Sequence, residues 1–184
     1  MSSFEHEDFT EAKEKIREIP DFPRQGIRYK DITPVLQDGR LFARIVERMV
    51  KQFYDKRVDY VISPECRGFV LGSAVAIRLG AGFIPARKKG RLPFKTIKVT
   101  YNSDYPDVSK EENVLFIHED ALRKGNRILI IDDMLSSGGT IRACKNLVET
   151  LGGEVVGAGV MVDLGDARSK DILQDLSVYS CVRF

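Results

Sequence analysis

Leu41, Phe42, Ile45, Val46, Met49, Val50 and Phe53 recur every three to four positions, a spacing that predicts an amphipathic helix over residues 41–53. Upstream, residues 9–18 are charged with sparse apolar positions and read as a short helix ended by Pro20 and Pro23. A strand-like piece at 27–32 follows Gly26. Further along, the pattern changes to short apolar runs alternating with helical stretches. The runs cover 59–63, 82–86, 127–131, 155–162 and 177–182, and the helices 69–79 and 140–151. Continuous Val, Ile and Leu runs mark strands covered on both faces, as in a parallel sheet with helices packed against it. The loops leaving such strands collect at the carboxyl edge of the sheet, where open α/β sheets bind ligands.

One segment interrupts the alternation. Residues 90–124 are polar and too long for an ordinary connection. Strands at 96–101 and 114–117 are expected to pair antiparallel within it and form a flexible flap. The expected fold is therefore a single α/β domain over 1–184, with a central, mostly parallel twisted sheet flanked by helices.

Composition narrows the partners. Hydrophobic residues make up 43% and charged residues 30%, the balance of a soluble globular chain. A net charge of +2 gives no footing for nucleic acid, whereas the local run Arg87-Lys88-Lys89-Gly90-Arg91 suits a small anion. No apolar run approaches the roughly 20 residues of a membrane span. Cys66, Cys144 and Cys181 are odd in number and widely spaced, and no signal-like segment precedes them. They are expected to be reduced thiols in a cytoplasmic protein. Cys66 has no histidine near it in sequence and reads as a small packing residue rather than a nucleophile. His6 and His118 are isolated, which excludes a histidine-based metal site.

The chemistry concentrates in residues 128–141, ILIIDDMLSSGGTI. An apolar strand delivers two adjacent carboxylates, Asp132 and Asp133. A loop of small residues follows, Ser136-Ser137-Gly138-Gly139-Thr140, and then a helix. Small residues let backbone N–H groups converge on an anion, and a helix N-terminus adds positive potential. Taken alone, the loop is equally a turn with Ser and Thr capping the helix. The acidic pair changes the reading. Two carboxylates side by side repel each other and need ligand hydroxyls, a metal or solvent. A ribose 5-phosphate carries both the phosphate and the hydroxyls that this arrangement calls for. Other anion motifs fit less well, because a nucleotide P-loop requires Lys where Thr140 stands. The Gly157-Ala158-Gly159 triplet lacks the third glycine of a dinucleotide fingerprint and reads as a packing feature.

Two hydrophobic residues, Asp132-Asp133, two further residues and then Ser136-Ser137-Gly138-Gly139-Thr140 closely resemble the phosphoribosyl pyrophosphate (PRPP) motif of type I phosphoribosyltransferases. Other segments resemble the adenine branch of that family. Residues 19–32 (IPDFPRQGIRYKDI) are similar to its base-binding hood, here 1–35, and Pro64-Glu65-Cys66-Arg67-Gly68-Phe69 to its pyrophosphate loop. Arg87-Lys88-Lys89-Gly90-Arg91-Leu92-Pro93 and Tyr101-Asn102-Ser103-Asp104-Tyr105 match its basic loop and its flap motif, with Asp104 one methylene shorter than the family's Glu.

The resemblance implies transfer of the 5-phosphoribosyl group from PRPP to adenine, giving AMP and pyrophosphate, with Mg²⁺ as cofactor and a homodimer as the assembly. It implies that Ser136, Ser137, Gly138, Gly139 and Thr140 hold the 5-phosphate, and that Asp132 and Asp133 contact the ribose hydroxyls. Arg67, Lys88 and Arg91 would meet pyrophosphate, Arg28 and Lys30 the base, and Asp104, with Arg67, would act in catalysis. The metal would be held mainly by substrate oxygens. A forked guanidinium on a Gly-hinged loop suits pyrophosphate. The bland alternatives are a surface arginine for Arg67, a solvated basic run for Lys88 and Arg91, and a solvated loop carboxylate for Asp104. At the level of function, the alternatives are transfer to hypoxanthine, guanine or xanthine, or a non-catalytic PRPP-sensing regulator.

Overall fold

In a computed structural model, which describes residues 9–102 and 113–184, helix α1 (Thr10–Lys15) passes directly into strand β1 (Arg17–Pro20). The helix expected over 9–18 thus ends at Lys15. Ile16 takes extended dihedrals, and β1 pairs antiparallel with β2 (Arg28–Asp31), placing Arg17 opposite Asp31. Arg17 Nε donates to Asp31 at 3.1 Å, so charges that looked helical in the sequence instead lace a two-stranded sheet. A five-residue helix, α2 (Thr33–Gln37), then leads to α3 (Gly39–Phe53). Asp38 caps α3 by accepting from the backbone N–H groups of Arg40 and Leu41. Leu41, Ile45, Val46, Met49 and Phe53 are buried, as the periodicity requires.

After a 3-10 turn at Tyr54–Lys56, the chain alternates β3 (Tyr60–Pro64), α4 (Arg67–Leu79) and β4 (Gly82–Ala86). Strands β5 (Thr96–Thr100) and β6 (Val114–His118) follow, then β7 (Arg127–Leu135), α5 (Gly139–Thr150), β8 (Glu154–Asp163), α6 (Arg168–Ile172) and β9 (Val178–Arg183). The central sheet has the order β4-β3-β7-β8-β9, and every pairing in it is parallel. Its two faces are covered by different elements. Along β7, Leu129 and Ile131 join the core under α3 and α4, while Ile128 and Ile130 join the core under α5. That alternation explains why the strand reads as an unbroken apolar run.

Strand β7 continues past the apolar run read from the sequence. Asp132 pairs with Val160 and Met134 with Val162, so both carboxylates belong to the strand rather than to a turn. Strands β5 and β6 form a separate antiparallel pair, with Thr96 opposite His118, packed on α5. Two 2.8 Å backbone hydrogen bonds between Arg87 and Phe116 fasten that pair to the end of β4. No described helix is long and apolar enough to cross a membrane.

Candidate active site

Strands β3 and β7 are parallel neighbours, so the loops that leave them arrive at the same sheet edge. Between these loops and the β5–β6 pair lies a cleft of about 1000 Å³. One wall is the turn from β7 into α5. Gly138 there has φ 93°, a left-handed conformation that suits glycine, and a side chain would also meet Leu173 at 3.0 Å. Helix α5 begins at the next residue, and its first backbone N–H groups lack intrahelical acceptors. Ser136, Ser137, Gly139 and Thr140 line the cleft beside them. The arrangement is a cradle for a phosphate.

Asp132 and Asp133 form the adjoining wall and are nearly inaccessible, at 6% and 3% exposure. The Asp133 N–H donates to Asp132 Oδ1 at 2.8 Å. Burial, and then the charge of Asp133, push the Asp132 carboxyl well above the usual carboxylate range. Arg67 Nε stands 3.0 Å from Asp133 Oδ2. The contact is ionic without the alignment of a hydrogen bond, and Asp133 Oδ2 has no hydrogen-bond donor. A buried carboxylate oxygen facing a cleft without a donor invites a hydroxyl or a hydrated cation. Among the described residues, no group of three or more His, Cys, Asp or Glu gathers to hold a metal. The carboxylate pair fits an ion such as Mg²⁺ that keeps its waters and takes most ligands from a phosphorylated substrate.

Arg67 opens helix α4, and its Nη1 also donates to the Tyr29 hydroxyl at 2.6 Å. Its neighbour Glu65 ties two loops together. That carboxylate accepts from Arg87 at 3.1 and 3.3 Å and from the Lys88 backbone N–H at 3.0 Å. Burial works to raise the Glu65 carboxyl, but the Arg87 guanidinium and the Lys88 N–H outweigh it and hold the group below its ordinary range. Arg87 in turn donates to the Arg91 carbonyl at 3.1 Å. The basic loop is thereby tied to the loop between β3 and α4.

Arg67, Lys88, Arg91, Asp132, Asp133 and the loop from Ser136 to Thr140 all line this one cleft. Arg28 and Lys30 do not. Both pair with Glu18, at 3.1 and 2.8 Å, and Lys30 also lies 3.9 Å over the Phe184 ring. Alternation along β2 separates them from Tyr29, which turns toward Arg67. Asp104 lies outside the described residues. Cys66 is exposed at the cleft and not a packing residue, because it sits in the loop just ahead of α4. Tyr29, Glu65 and Lys98 belong to or support the site without having been singled out from the sequence. Strand alternation was a usable signal for Tyr29; Glu65 offered none, since its partners come from another loop.

The phosphoribosyl transferase domain family model matches residues 34–183. The chain is similar to the adenine phosphoribosyltransferase of Clostridium acetobutylicum, 45% identical over 174 residues that cover 95% of this chain and 98% of that protein. Among solved structures it is similar to adenine phosphoribosyltransferase from Thermoanaerobacter pseudethanolicus, with TM-score 0.88 and 41% identity, covering 95% of this chain and 99% of that one. It is also similar to the Giardia lamblia enzyme complexed with 9-deazaadenine, with TM-score 0.89 and 28% identity, covering 97% and 99% of the two chains.

Proposed function

Since this chain belongs to the phosphoribosyltransferase family, and adenine phosphoribosyltransferases match nearly its whole length, we propose that it transfers the 5-phosphoribosyl group of PRPP to adenine, giving AMP and pyrophosphate in purine salvage. One observation carries the reading: a phosphate cradle, a buried carboxylate pair and an arginine converge on a single cleft. The Giardia lamblia relative in complex with 9-deazaadenine supports a purine as acceptor.

In the reaction a purine ring nitrogen bonds to the anomeric carbon while the bond from that carbon to pyrophosphate breaks. The electron pair leaves with pyrophosphate, and the base gives up a proton. The 136–140 loop and the α5 N-terminus hold the 5-phosphate. Asp132 and Asp133 accept from the ribose hydroxyls and so fix the sugar against the cradle. Arg67, Lys88 and Arg91 face the leaving group and stabilise its developing charge. Asp104 meets the proton of the base. Arg28 and Lys30 serve the base side through the hood that they fasten to Glu18. Mg²⁺, held by substrate oxygens beside Asp133, would neutralise charge on the leaving group.

The protein is further proposed to act in the cytoplasm as a homodimer. Cys66, Cys144 and Cys181 form no disulfide, which suits a reducing compartment. Val70 and Ile77, one face of α4 seven residues apart, are 45% and 79% exposed and suit a protein partner. Release of pyrophosphate that requires both adenine and PRPP, and stops when Mg²⁺ is chelated, tests the reading.

A further inference from the structure

Two groups restrain the Arg67 guanidinium, and they act differently. Asp133 attracts its charge at 3.0 Å, but without hydrogen-bond alignment, so the contact leaves the plane of the fork free to turn. Tyr29 fixes that plane. Its phenol oxygen accepts from Nη1 at 2.6 Å, and the guanidinium carbon lies 5.1 Å from its ring centroid. Tyr29 is itself held, by an edge contact from Phe22 at 5.1 Å and by its pairing with Ile19 across the hood. Of the five guanidinium N–H groups, these contacts engage Nε and one on Nη1, and the others remain for an anion in the cleft that Arg67 lines. A long side chain ordered before its ligand arrives spares binding the cost of ordering it.

We propose that the Tyr29 hydroxyl is a positioning group for the leaving-group arginine, through which the N-terminal hood presets the pyrophosphate site. The inference rests on the reading of Arg67 as a pyrophosphate ligand. It assigns Tyr29 a task separate from contact with the base, and the phenol oxygen rather than the ring carries it.

Calorimetric titration with magnesium pyrophosphate, together with steady-state kinetics, on wild type, Tyr29→Phe, Arg67→Gln and the double variant tests it. Tyr29→Phe keeps the ring and its packing. It is expected to weaken pyrophosphate binding and raise the KM for PRPP on the order of tenfold, the scale of a hydrogen bond to a charged group, with the KM for adenine unchanged. Arg67→Gln is expected to weaken pyrophosphate further, and adding Tyr29→Phe to it to change nothing more. Wild-type or tighter pyrophosphate binding by Tyr29→Phe overturns the proposal, as does an equal loss in both Arg67 backgrounds. Unchanged pyrophosphate affinity in Arg67→Gln sinks the assignment of Arg67 itself, whatever Tyr29→Phe does.

Discussion

A methyl group placed on Gly68 would lie 2.9 Å from Asp132 Oδ1 and 3.0 Å from Pro64 Cδ. The first turn of α4 is therefore seated directly against the acidic pair. Asp132 cannot retreat freely, because its Oδ1 also accepts from the Asp133 N–H. Gly68→Ala is expected to displace that carboxylate, raising the KM for PRPP about tenfold and costing about 1–3 kcal/mol of stability, as overpacking in a dense interior does. Steady-state kinetics and thermal melting check it. An alanine variant with wild-type values of both would show that the contact relaxes without consequence.

Asp132 carries a stability cost that its proposed contact with ribose would explain. Burial and the Asp133 charge raise its carboxyl in the folded protein, so the native state holds that proton more tightly than the unfolded chain does. Its contribution to stability consequently declines as pH rises from the ordinary carboxylate value of about 3.9 toward neutrality. Asp132→Asn keeps the acceptor for the Asp133 N–H and removes the penalty. The variant is expected to melt above wild type at pH 7.5, with the difference closing as pH falls to about 4. Its affinity for PRPP should drop by roughly 1.5–3 kcal/mol, the worth of a charge-assisted hydrogen bond. Melting curves across that pH range and PRPP titration measure the two effects separately.

The parts of this site differ in how far the sequence disclosed them, for physical reasons. Ile128 to Ile131 are buried on both faces of the sheet, so β7 shows as a plain apolar run. The strand's continuation through Asp132 and Asp133 does not show, because charged residues resemble a turn until β8 is seen to pair with them. The turn from β7 into α5 at the cleft was legible from its run of small residues. In the hood, charge marks Arg28 and Lys30, whereas the alternation that turns Tyr29 toward Arg67 shows once β1 and β2 are paired. Helices α2 and α6, of five residues each, are too short to display a period. Glu65 owes its place to Arg87 and Lys88, more than twenty residues away, a relation that no local pattern carries.

The hood is also fastened from below. Lys30 and Lys13 lie 3.9 and 4.9 Å over the Phe184 ring, and Lys13 Nζ donates to the Arg183 carbonyl at 2.7 Å. Exposed cation–π contacts contribute about 0.5–1 kcal/mol each. Phe184→Ala should loosen the hood and raise the KM for adenine roughly threefold, with a smaller rise in that for PRPP through the Tyr29–Arg67 contact. Equal changes in both constants would indicate a general loss of structure rather than a hood effect.

Asp104 is the proposed partner of the base proton. Asp104→Asn is expected to lower kcat by about 10²-fold or more with PRPP binding barely altered, within the range of general acid–base effects. Asp104→Glu, one methylene longer, should retain substantial activity. An asparagine variant with wild-type turnover would assign the proton to another group or to water.

This cleft is proposed to join PRPP to adenine in particular. Incubating the protein with PRPP, Mg²⁺ and an equimolar mixture of adenine, hypoxanthine, guanine and xanthine, and then separating the nucleotides, tests it most directly. AMP is expected as the dominant product, formed in step with pyrophosphate. IMP, GMP or XMP in place of AMP would contradict the base assignment, and no nucleotide at all from a folded, PRPP-binding protein would contradict the assignment as an enzyme.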